Sequence, residues 1–458
     1  MGLFFRGITL PARLAPTHVE CIEVPPPPRV ILPLLQHLGE PAEPTVTVGD
    51  TVEAGDLIAE APTEAALPLY ASITGKVTAL TDTLTSRGNE LKAVVIEANG
   101  TTPPAPRTEM SHNRSPLSRE AILTRITRAA VVTKGPQPLA LSRELEALRE
   151  PSTHLSLSGR RVMRPLDTLL ISALDLEPSL GVNRYLAGTT SETLPAGIAA
   201  LKELSGAARV VIAVDKHFSP PPTPLLTLAA TDEQETTTIV RLNGRRYPVG
   251  LPVPLIKAAL GREVPLPYGH PRDVGVLLCD LETATSVGTA VTTTTPPLTT
   301  MLTVGGGAIG TRGVIEVPLG TTASSLIDAL GGFTREPAKL IVGGPMTGMA
   351  HYSLEVPLTK EVTGLFALTK EELTVVGRYR ECVNCGRCVA VCPVNLVPGV
   401  LSMYCARGRF PEAAREGLFT CIECGCCDYV CPSRRPMVHL FRHAKHELVE
   451  TGAEESIV

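Results

Sequence analysis

The sequence lacks any long apolar run. Apolar residues fill 43% of its 458 positions, but proline, threonine and charge interrupt them throughout, and no stretch approaches the roughly 18 residues that span a bilayer. The expectation is a chain that does not cross a membrane. It also lacks an excess of either charge: 42 Lys and Arg against 46 Asp and Glu leave a formal net charge of −4, and the basic residues are scattered. No electrostatic footprint for nucleic acid follows, so no nucleic-acid partner is expected. The opening MGLFFRGITLPARLAP has no basic stretch leading into a continuous apolar segment and a small-residue cleavage site. A secretory signal is therefore not expected, and a cytosolic address is. A chain of 458 residues is too long for one ordinary core, which predicts three to four domains.

Cysteine is what the sequence has. Eight of its twelve cysteines fall in two runs near the end, CVNCGRCVAVCP at 382–393 and CIECGCCDYVCP at 421–432. In a reducing compartment such clusters point to metal rather than to disulfides. Cys382, Cys385, Cys388 and Cys392 give C-x2-C-x2-C-x3-C before Pro393, and Cys421, Cys424, Cys427 and Cys431 repeat it before Pro432. This is the bacterial ferredoxin run. Three thiolates at that spacing wrap three corners of a cubane, and the fourth cysteine is turned away toward the other cluster. The expected ligand sets are Cys382, Cys385, Cys388 and Cys431 for one 4Fe-4S centre, and Cys421, Cys424, Cys427 and Cys392 for the second. A pair of zinc sites would also favour C-x2-C pairs, but needs neither the third and fourth cysteines in tandem nor the trailing prolines. Cys426 reads as a spare thiol packed near the cluster, and Cys21, Cys279 and Cys405 as small buried residues without a role.

Around the runs the pattern is helical. VPGVLSMYCARGRFPEAAREGLFT reads as helix, turn, helix, with Leu401, Tyr404 and Cys405 on one face and Pro411 at a first turn. In MVHLFRHAKHELVE, His439, His443 and His446 fall on what reads as a solvated basic face.

The rest of the chain divides by pattern into four further segments. Residues 1–102 include EPTVTVGDTVEAGDLIAEAPTEAALPLYASITGKVTAL, short alternating strands with Gly-Asp and Ala-Gly turns, similar to the biotinyl/lipoyl carrier sandwich but with no lysine in EAALPLYA at its hairpin tip. The module is therefore structural, or it docks a partner. Residues 103–116, PPAPRTEMSHNRSP, read as a linker. Residues 117–271 alternate helix and strand, through SREAILTRITRAAVV, LDTLLISAL, LPAGIAALKELSG and ARVVIAV, as a Rossmann-like α/β domain. Residues 272–370 hold a ββαβ order, TTMLTVGG, VIEVPLG, SSLIDALGG and KLIVGG, as a β-grasp-like module. The cysteine domain takes 371–450 and a tail 451–458. Gly305, Gly307 and Gly310 satisfy G-x-G-x-x-G, but a strand-like TRGVIEVPLG follows where a phosphate site needs a helix. A glycine hairpin is expected there. GGPMTG at 343–348 is a tight turn suited to a cofactor pocket or a domain joint.

With this order in hand, the chain resembles the RnfC family of the Rnf ion-translocating ferredoxin:NAD oxidoreductases, through VILPLLQHLGEPAEPTVTVGDTV, IVGGPMTGMA and CIECGCCDYVCPS. The resemblance implies a carrier-like sandwich, an α/β domain similar to the flavin-binding subunit of respiratory complex I, an SLBB-type β-grasp module and a two-cluster ferredoxin domain. It further implies a peripheral position on the cytoplasmic face of a membrane complex, relaying electrons between NADH, flavin, clusters, the membrane subunits and a soluble carrier such as ferredoxin. The flavin site departs from the family. Where the family has a loop similar to GLGGAGFPT, this chain has TKGPQPLAL, keeping Gly135 but placing Pro136 and Pro138 where amides would meet a phosphate. The acidic stretch similar to NGAECEP reads SALDLEP, keeping Glu177 and replacing a Glu by Asp175, and GGIHPP reads RGITLP. Gly135, Asp175 and Glu177 are thus the remaining flavin and NADH candidates, and weak or absent binding of FMN and NADH is expected. Two alternatives stand beside the Rnf reading: a soluble accessory reductase similar to the cobalamin-reductase or proline-reductase-associated relatives, and an assembly module whose clusters brace the fold.

Overall fold

The computed structural model describes residues 6–10, 20–100, 117–135, 137–148, 165–189, 191–218, 222–230, 236–293, 296–373 and 379–452. The linker assigned to 103–116, Pro136 and most of the tail lie outside them.

The carrier-like part is two small antiparallel sheets face to face. One orders Arg29–Pro33, Glu90–Ala98, Gly75–Leu84 and Thr51–Val52, and the other Glu43–Pro44, Leu57–Glu60 and Leu69–Tyr70. Alternation sends Val30, Leu32, Ile58, Val77, Val94 and Ile96 into a shared core. The hairpin tip without a lysine is docked within the chain. Leu67 packs on Ala130, Val132 and Ala140, and Leu38 N donates to Pro138 O at 2.7 Å.

In the α/β part, Thr237–Leu242, Arg209–Asp215, Thr168–Ser172 and Val276–Asp280 lie side by side in that order, all parallel. The fourth strand and the helix after it, Leu281–Thr292, lie beyond residue 271, where the sequence pattern ends this domain. They belong here because Val276–Asp280 pairs along its length with Thr168–Ser172, and because Leu281–Thr292 packs on Thr193–Ser205 through Gly197 and Gly288. A Cβ at either glycine would overlap the facing helix backbone. The helix expected through AAVV ends instead at Arg128, where Ala130 turns left-handed at φ 51°.

The expected ββαβ order is present as Thr299–Gly305, Gly313–Pro318, Ala323–Ala329 and Lys339–Val342. Its sheet also takes Met349–His351, Gly364–Leu368 and, at the far edge, Cys21–Ile22. Another early segment, Ile8–Thr9, pairs with Arg246–Tyr247. The first residues therefore serve distant sheets rather than the carrier sandwich. Gly305, Gly307 and Gly310 lie in and after the turn of an antiparallel pair, and Gly307 N donates to Glu372 Oε2 at 2.7 Å.

The cysteine domain is built on the helices Arg387–Val391, Pro398–Cys405, Phe410–Arg415, Cys426–Val430 and Met437–Glu450. Leu401, Cys405, Ala413, Phe441 and Leu448 form its core, while Tyr404 is half-buried with the Arg409 guanidinium 5.1 Å from its ring centre. His439, His443 and His446 are exposed.

Candidate cluster site and adjoining cavity

The two cysteine runs share one backbone shape. Between the first two cysteines of each run a residue is left-handed, Asn384 at φ 53° and Glu423 at φ 56°; the glycine after the second follows, Gly386 at 71° and Gly425 at 74°. A five-residue helix then carries the third cysteine, and the fourth, Cys392 or Cys431, leaves it in extended conformation. Three sulfurs are thus folded inward on a tight loop and one is turned aside. Asn395 at 59° and Arg434 at 53° complete the match beyond the prolines.

Room and donors are provided around the sulfurs. Gly399 lies against the first run, and a Cβ there would stand 3.6 Å from Cys388 Sγ and 3.7 Å from Cys382 Sγ. Leu396 N donates to Cys392 Sγ at 3.3 Å and Glu423 N to Cys421 Sγ at 3.4 Å. Among the described residues no three His, Cys, Asp or Glu side chains converge as a single metal ion would require. A cubane is wider, taking its thiolates at separate corners.

Electrostatics group the sulfurs across the runs. Burial raises the Cys427 thiol well above its ordinary range, Asp428 adds to this, and Cys421, Cys424 and Cys392 add further. Burial likewise raises Cys392, with Cys424 contributing. Cys392 therefore lies among the thiols of the other run. Burial pushes Cys421 up to about 12 against the opposing pull of Lys445. The Cys426 thiol is fully buried and donates to the Cys424 sulfur, holding Cys424 below its usual range, while Tyr247 OH donates to Cys424 O at 2.5 Å.

The runs differ in surroundings. Cys424, Cys427 and Cys392 are buried, whereas Cys385 is exposed and Cys382, Cys388 and Cys431 are half-buried. Val383 beside Cys385 is 65% exposed.

A cavity of about 770 Å³ opens beside the buried run. Its walls come from the carboxyl ends of two parallel strands at Ser172 and Asp280, from the 343–348 loop, and from Cys421–Glu423. This is where parallel α/β sheets place their ligands. Four wall residues carry a buried polar atom without a partner: Asn183 Oδ1, Arg272 Nε, Thr283 Oγ1 and Glu361 Oε2. Such atoms suit a polar ligand.

The three flavin candidates are not brought together there. Gly135, left-handed at φ 120°, lines the cavity, but Asp175 and Glu177 do not. Asp175 Oδ1 accepts from Asn183 N at 2.9 Å at the start of the helix Val182–Gly188, and burial raises its carboxyl to about 6. Glu177 is enclosed by the 343–348 loop, with Met346 N at 2.9 Å, Thr347 N at 2.8 Å and Thr347 Oγ1 at 2.6 Å. A Cβ at Gly344 would collide with that carboxylate. GGPMTG is thus a domain joint: an internal anion fills the loop, whose Met346 packs with Cys424 and Cys426. The 133–139 loop likewise closes on itself, Thr133 N donating to Leu139 O at 2.9 Å and Leu139 N to Thr133 Oγ1 at 2.9 Å.

Sequence reasoning missed Glu423, Arg442 and Lys445, which meet at the cavity mouth beside Cys421. A signal was present, since Arg442 and Lys445 share the inward face of the last helix with Phe441 and Leu448, one turn from the exposed histidines.

Family descriptions match three parts of the chain: the RnfC barrel sandwich hybrid domain at residues 3–101, the Nuo51 FMN-binding domain at 151–289 and the SLBB domain at 301–350. The Nuo51 match begins after the 133–139 loop. The RnfC protein of the proton-translocating ferredoxin:NAD(+) oxidoreductase complex of Clostridium ljungdahlii is 31% identical over 95% of this chain and 91% of its own length. Its counterpart in the Na(+)-translocating complex of Acetobacterium woodii is 30% identical over 98% and 97%. A chain of the NAD+-reducing NiFe-hydrogenase in its H2-reduced state aligns over 73% of this chain and 63% of its own, at 18% identity and a TM-score of 0.48. The fold and its parts define a multidomain α/β and β protein with a complex I-like flavin-domain heritage and an SLBB module. The chain belongs to the RnfC family, a component of the Rnf complexes.

Proposed function

We propose that this protein is the RnfC-type electron-transfer component of a membrane-associated, Rnf-type ferredoxin:NAD oxidoreductase complex, holding two 4Fe-4S clusters on the cytoplasmic side. The observation that carries the reading is the pairing of two equivalent cysteine loops, one buried beside a cavity and one open at the surface. The ligand sets are Cys382, Cys385, Cys388 with Cys431, and Cys421, Cys424, Cys427 with Cys392. Gly399 leaves space at the first, and the amides of Leu396 and Glu423 donate to sulfur at the second. Clusters of this kind accept and release single electrons. Residues of the α/β and SLBB parts keep water from Cys424 and Cys427, while the exposed Cys385 edge offers a redox partner close approach.

The family's flavin phosphate fits poorly. A phosphate cradle needs several free amides converging in a tight loop, and the amides of Thr133 and Leu139 are already bonded within the loop while Pro138 has none. FMN and NADH are therefore bound weakly or not at all, and electrons reach the clusters from another protein: a membrane subunit of the complex or a soluble carrier such as ferredoxin. No helix among the described residues is long and apolar enough to cross a membrane, so association is peripheral, through partner subunits.

The test is anaerobic purification with iron, sulfide and flavin quantified together. About eight irons per chain with little flavin is expected. Stoichiometric flavin, with NADH bleaching the cluster absorbance, would restore an NADH-oxidising role; absence of iron and sulfide would overturn the reading.

A further inference from the structure

The last helix turns two cations toward the buried run. Lys445 Nζ lies 2.8 Å from the Cys421 carbonyl oxygen and 2.7 Å from Glu423 Oε1. Arg442 Nε lies 2.8 Å from Glu423 Oε2. Because Glu423 stands between Cys421 and Cys424 in a left-handed conformation, the three charges are fixed against the first two ligands of that run. On the Cys392 side, Arg6 Nη1 donates to Val389 O at 3.1 Å, at the end of the helix that delivers Cys392. Each cation pulls on the adjacent sulfur, Lys445 on Cys421 and Arg6 on Cys392, in opposition to burial.

We infer that Lys445 and Arg6 are positioning residues that raise the reduction potential of the cluster held by Cys421, Cys424, Cys427 and Cys392, with Glu423 fixing Lys445 in place and partly offsetting it. The inference rests on the cluster reading above. One-electron reduction adds one negative charge to this enclosed site, and a nearby cation favours the more negative form. In a protein interior a unit charge several ångströms away shifts such an equilibrium by about an order of magnitude. The carboxylate of Glu423 acts in the opposite sense at the same place, which gives the test two signs.

The experiment is an anaerobic redox titration followed by electron paramagnetic resonance, on full-length protein with iron counted first. Lys445→Met should lower one midpoint by about tenfold in the equilibrium, about 59 mV for a one-electron couple, and Arg6→Met should lower the same midpoint. Glu423→Gln should raise it, and Lys445→Arg should restore the wild-type value. The other midpoint should stay in place throughout. A role confined to structure would loosen the loop in every variant and would not give opposite signs. Unchanged midpoints in Lys445→Met and Glu423→Gln, or shifts of one sign in both, would overturn the inference while leaving the clusters assigned. If Lys445→Met fails to load iron, Arg6→Met decides alone, and an unmoved midpoint there counts against the proposal. Wild-type protein without two clusters would overturn the function itself, at the iron count and before any potential is read.

Discussion

A carboxylate out of water is costly unless donors surround it, and Glu177 and Asp175 meet that cost differently. Glu177 has three donors from Met346 and Thr347, so its acid group is held by a loop 169 and 170 positions away in the chain. Asp175 has fewer, and burial raises its folded pKa from 3.8 to about 6. A raised folded pKa means that the protonated acid is the one the fold accepts. Its contribution is therefore full below the unfolded value and is lost as pH rises through about 6. Asp175→Asn should gain stability relative to wild type as pH rises from about 4 to about 6, then hold level; urea unfolding across that range checks it, and a flat difference would show that the carboxyl titrates normally. Among the cysteines, Cys392→Ser should damage the cluster of Cys421, Cys424 and Cys427 more than that of Cys382, Cys385 and Cys388. Spectroscopy of each single mutant decides, and equal loss from its own run would sink the crossed ligation.

Between elements, close approach sets the tolerances. Gly197 and Gly288 let two helices of the α/β part touch backbone to backbone, and a Cβ at either would overlap the other helix. Gly197→Val should cost about 1–3 kcal/mol through overpacking, seen as a lower unfolding midpoint for the α/β part; an unchanged midpoint would mean that the helices separate freely. Some of these elements were legible in the sequence. The strands at Thr168–Ser172 and Arg209–Asp215 and the helix closed by Gly206 are marked by local signals: buried runs, periodicity and a left-handed glycine cap. The cysteine loops were legible for the same reason, since ligand spacing is written within a dozen residues. The fourth strand, Val276–Asp280, was assigned to the wrong neighbour because parallel pairing joins residues far apart and leaves no mark at either. The pairings of Ile8–Thr9 and Cys21–Ile22 escaped likewise. Arg442 and Lys445 were hidden because the last helix carries charge on both faces, and sequence periodicity cannot tell a cation paired with Glu423 from a solvated one.

At the scale of the whole molecule, the chain has no spanning helix among its described residues and belongs to a family named for a membrane complex. Salt or alkaline washing should therefore release it from membranes without detergent, as followed by immunoblot. Recovery entirely in the soluble fraction, with the other subunits present, would favour the soluble accessory-reductase reading. The unequal burial of the two cysteine runs also fixes how the molecule ages. Dioxygen attacks iron and sulfide where it can reach them, and it meets Cys385 at the surface but must penetrate two packed domains to meet Cys424 and Cys427. Protein left in air should therefore decay in two stages, pausing at a half-loaded form of about four irons that keeps the interior centre and has lost its outlet. Such a preparation would still take up an electron from a small chemical reductant, yet pass none to a protein: an enzyme disconnected at its rim rather than broken at its core.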